Sequence, residues 1–124
     1  MQKKADNWGK FESGNKLTFE ELSAYIETLE KDKEPDDRIN FETHIYPKLK
    51  MLTLDTIKAT YKKLNPQNKK FGFELFGLDF MIDHAYEVWL IEVNTNPCLT
   101  TISPVTCKLI PQMIENLLRI CIDP

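Results

Sequence analysis

The sequence has no run of about 18 apolar residues and no signal peptide, so neither a membrane-spanning helix nor secretion by that route is expected. It also lacks a basic excess: 16 Lys and Arg stand against 19 Asp and Glu, a net charge of −3. Bulk nucleic-acid binding is therefore not expected, and neither nucleic acid nor membrane is expected as a partner. Cysteine is scarce and odd in number, and Cys98, Cys107 and Cys121 show no CxxC spacing. That speaks against a zinc site and against a disulfide framework, and for a reduced, intracellular compartment. The length of 124 residues suits one domain with a modest core.

The richest stretch is Phe71–Leu99, FGFELFGLDFMIDHAYEVWLIEVNTNPCL. Aromatic and branched residues crowd Phe71–Asp83 and Val88–Val93, which predicts two strands. His84, Ala85, Tyr86 and Glu87 are left as the turn. With Asp83 facing Val88, Met81 faces Leu90 and Asp79 faces Glu92. Alternation then puts Asp79, Glu92 and Asn94 on one face and Trp89 on the other, packed in the core. Opposed residues have Cβ atoms about 4.5–5.5 Å apart, and like charges that close repel unless a cation lies between them. Asp, Glu and Asn offer the hard oxygens that Mg²⁺ takes, usually with water and phosphate completing its shell. The alternative is a solvated acidic face on an amphipathic hairpin. Against it, both acids interrupt apolar runs, FGLDFMI and WLIEVN, where a buried strand has no reason to carry charge. Gly77, two residues before Asp79 on the same face, predicts either a bulge or the close approach of a ligand or neighbouring element.

Elsewhere the pattern is helical. Leu17–Lys31 begins with a capping box, Thr18 with Glu21, and with Leu17 and Leu22 placed as a staple. Leu22, Tyr25, Ile26 and Leu29 form its inward stripe and its Glu-rich face is solvated. The charged run Lys31–Arg38 predicts a surface loop broken at Pro35. Ile39–Tyr46 reads as a short turn, followed by a helix from Pro47 to Leu64 with a stripe of Leu49, Leu52, Ile57, Tyr61 and Leu64. Its lysines are a solvated face or an attraction for an acidic protein tail. His44 has no Cys or His at ligand spacing and reads as a surface or cap residue. Ser103-Pro104 opens a last helix with a core stripe of Leu109, Met113, Leu117 and Ile120, kinked or broken at Pro111. Met1–Asn15 is a polar loop with Trp8 and Phe11 as packing anchors. Cys98 has no general base spaced to activate it.

FELFGLDFMID followed by VWLIEVNTNPCL resembles the end of the catalytic domain of the tubulin tyrosine ligase-like family. QKKADNWGKFESGNKLTFEEL, DTIKA and the closing ISPVTCKLIPQMIENLLRICIDP extend the resemblance over nearly the whole chain. Thr100 is one departure, since many members carry an acidic residue after NPCL. The family consists of amino-acid ligases of the ATP-grasp type, many of them tubulin polyglutamylases. The resemblance implies an α+β fold, the C-terminal portion of an ATP-grasp fold, with an antiparallel hairpin packed with about three helices. Residues 1–124 are then expected to be a C-terminal fragment of that domain. It further implies ATP and Mg²⁺ as cofactors, with Asp79, Glu92 and Asn94 holding the metal under the nucleotide. ATP would phosphorylate a carboxylate to an acyl phosphate, which an amine attacks. The implied partners are tubulin or microtubules, ATP and an amino acid, glutamate. The implied location is the cytoplasm and cytoskeleton, with cilium or basal body included. The 124 residues alone are expected to be inactive. Two other readings stand beside it: a non-catalytic truncated remnant that docks on microtubules or a partner, and an unrelated small α/β domain with solvated acids.

Overall fold

The structure is a computed structural model that describes residues 16–70 and 72–122. The expected loop over Met1–Asn15, with Trp8 and Phe11, lies outside the described residues. The described residues form three α-helices and one two-stranded antiparallel sheet, the α+β arrangement expected. The chain divides into two compact units, residues 25–97 and residues 1–24 with 98–124.

Helix α1 spans Phe19–Glu30. Its start is the capping box read from sequence: Thr18 Oγ1 accepts from the Glu21 amide at 3.1 Å, and Glu21 Oε2 accepts from the Thr18 amide at 2.7 Å. Its inward stripe is narrower than expected. Ile26 is buried, whereas Tyr25 and Leu29 are exposed. The surprise is Glu30, a carboxylate only 3% exposed.

In the unit of residues 25–97, a short 3₁₀ turn at Pro35–Asp37 follows the helix. Arg38 closes the charged loop by donating to the carbonyls of Lys31 and Lys33, both at 2.9 Å. The expected turn before Pro47 is instead a π-helical turn, Phe41–Ile45, that runs into α2, Tyr46–Leu64. Asn40 caps it by accepting from the amides of Glu42 and Thr43. His44 serves the same cap: its Nδ1 accepts from the Asn40 amide at 3.1 Å. The wide turn swings Phe41 and Ile45 inward, where they are the largest fully buried side chains. Burial of each contributes about 2–3 kcal/mol. Pro47 stands in the first turn of α2, where its fixed φ suits the helix.

The hairpin is β1, Gly77–Ile82, and β2, Val88–Asn94. Strand β1 is shorter than Phe71–Asp83. Its partner ends at Asn94, opposite Gly77, and Pro97 has no amide with which to extend the ladder.

In the other unit, α3 spans Pro104–Cys121, with Ser103 and Thr106 in a reciprocal cap. The helix runs through Pro111 rather than breaking there, giving up one backbone bond. The expected core stripe is not a core: no residue of α3 is buried, and Leu109 and Ile120 are 55% and 77% exposed. Among the described residues, no helix is long and apolar enough to cross a membrane.

Candidate metal and nucleotide site

Next to the turn the two strands pair Ile82 with Val88, Met81 with Trp89 and Phe80 with Leu90. This is one residue out of the expected register. Asp83 does not face Val88, because its side chain organises the turn instead. Its Oδ1 accepts from the amides of Ala85 and Glu87, both at 2.9 Å. An aspartate that binds backbone amides further along the chain makes a local turn of its own.

A bulge between Asp79 and Phe80 then restores the expected pairing. Ile91 is the extra residue on β2, and beyond it Asp79 faces Glu92, Leu78 faces Val93 and Gly77 faces Asn94. The bulge has a second result. Met81 and Asp79 are two residues apart on β1, so Trp89, opposite Met81, shares the face of Asp79 and Glu92. The expectation that Trp89 lies opposite Glu92 and in the core is therefore overturned. Trp89 is 59% exposed, and its indole N–H donates to Asp83 Oδ2 at 3.0 Å. That bond, followed by the one from the Glu87 amide, holds the Asp83 carboxyl below its usual range.

Asp79, Glu92 and Asn94 are brought together. The Asn94 side-chain amide donates to Asp79 Oδ2 at 2.8 Å and to Glu92 Oε1 at 3.3 Å. One donor group thus lies between two carboxylates, which is where their mutual repulsion demands positive charge. All three side chains are exposed, while Leu78, Phe80, Ile82, Val88 and Leu90 on the other face are half-buried. Among the described residues no three His, Cys, Asp or Glu side chains gather in a metal-holding group. Here two acids are joined by an amide.

Gly77 marks a close approach rather than a bulge. A Cβ built on it would lie 3.0 Å from Pro97 Cβ and 3.7 Å from Asn94 Cβ. The missing side chain lets the Thr95-Asn96-Pro97 loop fold against the strand beside Asn94.

The turn is anchored from elsewhere in the same unit. Tyr86 takes a left-handed conformation, φ 59°, uncommon for a bulky residue. Its hydroxyl donates to Glu30 Oε1 at 3.0 Å, and Lys48 Nζ donates to its carbonyl at 3.3 Å and to Glu87 Oε1 at 2.7 Å. Glu30 Oε2 accepts from Lys33 Nζ at 2.8 Å and from the Ile39 amide at 3.0 Å. These two bonds, Lys33 first, hold the Glu30 carboxyl below its ordinary range. Burial, then the bond to Glu30, pushes the Tyr86 phenol up. Sequence reading missed the roles of Glu30, Lys48 and Asp83, and it set a possible bulge at Gly77 rather than at Ile91. Only the short polar turn around Asp83 carried a local signal.

Cys98, Cys107 and Cys121 are free and exposed. The Cys98 thiol lies 3.2 Å from Thr100 Oγ1. Thr100, through its hydroxyl and then its backbone, draws the thiol below its ordinary range.

A family model described as "Tubulin-tyrosine ligase family" matches residues 3–124. The chain belongs to the tubulin-tyrosine ligase family. Tubulin glycylase 3B of Tetrahymena thermophila is 31% identical over 107 residues, 86% of this chain and 8% of that protein. Protein monoglycylase TTLL8 of Homo sapiens is 33% identical over 79 residues, 64% of this chain and 9% of that protein. Tubulin glycylase 3A of Drosophila melanogaster is 34% identical over 79 residues, 64% of this chain and 8% of that protein. The chain spans less than a tenth of the length of these relatives. All three family relatives are named for glycylation, so the sequence expectation of glutamylation gains no support from them.

Proposed function

We propose that this chain supplies the metal-holding hairpin of an ATP-dependent ligase that joins an amino acid to tubulin, with Asp79, Glu92 and Asn94 holding Mg²⁺ beneath ATP. The observation that carries the reading is the convergence of those three side chains on one exposed strand face, around a single shared donor. The donor set suits the ion. Two carboxylates and an amide are hard oxygen donors, and an open face leaves room for water and phosphate oxygens. Asn94 would join by turning its amide so that Oδ1 replaces Nδ2, a rotation that leaves the side chain's shape unchanged. Bound Mg²⁺ would neutralise charge on the phosphoryl group in transfer.

The chain's own residues hold and orient. Asp79 and Glu92 fix the ion's position from adjacent strands. Asn94 adds a neutral ligand that does not cancel further charge. Gly77 keeps the Pro97 loop seated behind them. No side chain among the three is placed as a nucleophile, in keeping with a substrate carboxylate in that role.

Glutamate is the amino acid favoured by the sequence resemblance, but the relatives' names favour glycine, and glycine is the one we propose. The partner is tubulin or microtubules, and the place of action is the cytoplasmic cytoskeleton, cilia included. The test is ligation of labelled glycine and labelled glutamate to tubulin by a protein of the relatives' length that contains these residues. Glu92→Gln should abolish ligation and Mg²⁺-dependent ATP-analogue binding while leaving the melting temperature nearly unchanged. Normal activity in that variant would remove Glu92 from the metal. Incorporation of glutamate alone would reassign the amino acid. The 124-residue chain by itself should show no ATP turnover.

A further inference from the structure

The hairpin sequence admits two pairings, and both set Asp79 against Glu92. They differ between that pair and the turn. A straight pairing with Asp83 opposite Val88 would set Met81 against Leu90 and Phe80 against Ile91. Alternation would then gather Phe80, Ile82, Trp89 and Ile91 on the face away from the acids. The observed pairing joins Ile82 to Val88, Met81 to Trp89 and Phe80 to Leu90, with Ile91 bulged out. It leaves Met81, Trp89 and Ile91 59%, 59% and 57% exposed. Apolar burial within the hairpin therefore favours the straight pairing. That pairing would exchange Val88 and Leu90 on the half-buried face for Trp89 and Ile91, a larger apolar pair.

The observed pairing also carries strain. Tyr86 holds φ 59°, a left-handed conformation that a bulky residue keeps only where its surroundings impose it. Two helices impose it here. From the end of α1, Glu30 Oε1 accepts from the Tyr86 hydroxyl at 3.0 Å, and from α2, Lys48 Nζ donates to the Tyr86 carbonyl at 3.3 Å. Lys48 also pairs with Glu87 at 2.7 Å, beside the first residue of β2. Rotation about the Tyr86 N–Cα bond carries phenol and carbonyl together, so a change in the sign of φ breaks both contacts. Their loss is costly, because Glu30 is almost fully buried and its Oε1 would be left without a donor. Inside the hairpin, the Trp89 indole adds its bond to Asp83 Oδ2.

We propose that Tyr86, pinned by Glu30 and Lys48, is a positioning residue that keeps the hairpin in the bulged pairing and so sets Trp89 beside the acid pair, where the straight pairing would set Leu90. The acid pair itself is common to both pairings. The clamp decides its neighbour. With the clamp closed, Met81 and a flat indole border Asp79 and Glu92 as an apolar wall. With the clamp open, Leu90 replaces the indole in that wall. The use of the wall rests on the metal reading of this face, whereas the choice of pairing does not. A buried carboxylate at the end of α1 and a lysine on α2 thus act on the site through one turn residue.

The experiment uses the full 124-residue chain with Trp8→Phe, which leaves Trp89 as the sole tryptophan. Tyr86→Phe and Lys48→Met together open the clamp. Nuclear Overhauser contacts between the strands read the pairing, and iodide quenching with emission wavelength reads the face of Trp89. The parent should show Met81 against Trp89 and strong quenching. The opened variant should show Met81 against Leu90, lose most of its iodide quenching and shift its emission to the blue. A merely structural role would instead raise quenching and shift emission to the red as the turn loosens. Retention of the Met81–Trp89 contact, or a red shift with the helices intact by circular dichroism, would overturn the proposal. Should the double variant lose its helices, Tyr86→Phe alone must show the Met81–Leu90 contact, and its absence would overturn the proposal equally. Mn²⁺ separates this inference from the metal reading. Counted by its own paramagnetic resonance signal, it should bind both proteins but quench Trp89 far less in the opened variant, and equal quenching in the two would count against the clamp. Mn²⁺ that binds neither protein would remove the metal reading and leave the pairing result standing.

Discussion

Asp79 and Glu92 face each other across the hairpin and share one donor, the side-chain amide of Asn94. Two carboxylates at that spacing repel, and a single NH₂ group between them offsets part of the repulsion. Asn94→Asp removes the donor and adds a third charge. Without divalent ions this variant should melt about 2–5 °C below the parent. Mg²⁺ should raise its melting temperature more than it raises the parent's. Thermal scans with and without Mg²⁺ check both signs, and an equal response in the two proteins would argue that Asn94 does not face the ion.

Trp89 lies on the acidic face because Ile91 is bulged out of the ladder. In a Trp8→Phe background, Trp89 should be open to iodide quenching. Mn²⁺, a quenching substitute for Mg²⁺, should reduce its fluorescence, and Glu92→Gln should remove most of that effect. A tryptophan packed opposite Glu92 would resist both quenchers. Titration of emission intensity decides between the two placements.

Gly77→Ala would put a methyl group 3.0 Å from Pro97 Cβ. Either the Pro97 loop or the strand must give by a few tenths of an ångström. A loss of about 1–2 kcal/mol is expected in urea unfolding. Because the same methyl group lies beside Asn94, Mg²⁺ affinity should fall as well. Unchanged stability would mean that the loop is free to move.

The pH dependence follows from Glu30. Its carboxyl titrates lower in the folded chain than in the unfolded one, chiefly through Lys33 and then the Ile39 amide. Its stabilisation is therefore complete above the ordinary glutamate value of about 4.3, and is lost as pH falls through the lowered folded value. Asp83 contributes to the same acid limb, chiefly through Trp89. Glu30→Gln should destabilise at neutral pH and flatten the acid limb without abolishing it. Tyr86 acts at the other end: its raised value adds stability below about pH 10 that is lost as the phenol ionises. Urea midpoints measured across pH 3–11 on the parent, Glu30→Gln and Tyr86→Phe test both limbs.

The hairpin shows how far a sequence can be read. The pairing of Asp79 with Glu92 follows from simple alternation, yet the structure reaches it by two compensating displacements. Asp83 takes up the amides of Ala85 and Glu87 and moves the register by one residue, and the Ile91 bulge moves it back. The acids came out on the expected face because two shifts of one residue cancel there. Trp89 lies between the two shifts, so alternation put it on the wrong face. The α1 capping box and the Ser103 cap were legible because their partners are three residues apart. Phe41 and Ile45 were not, because a π-turn changes the helical period that reveals an inward face.

The sequence by itself determined what short-range chemistry decides: where helices begin, which segments pair, and that two acids and an amide share a strand face. Tertiary structure alone decided that Glu30 is buried beneath Tyr86, that Lys48 grips the hairpin turn, and that Pro97 rests on Gly77. Capping and alternation act over a few residues and leave a pattern in the chain. Glu30 and Tyr86 are 56 residues apart, and a hydrogen bond between them is favourable only after the intervening chain has folded to bring them together.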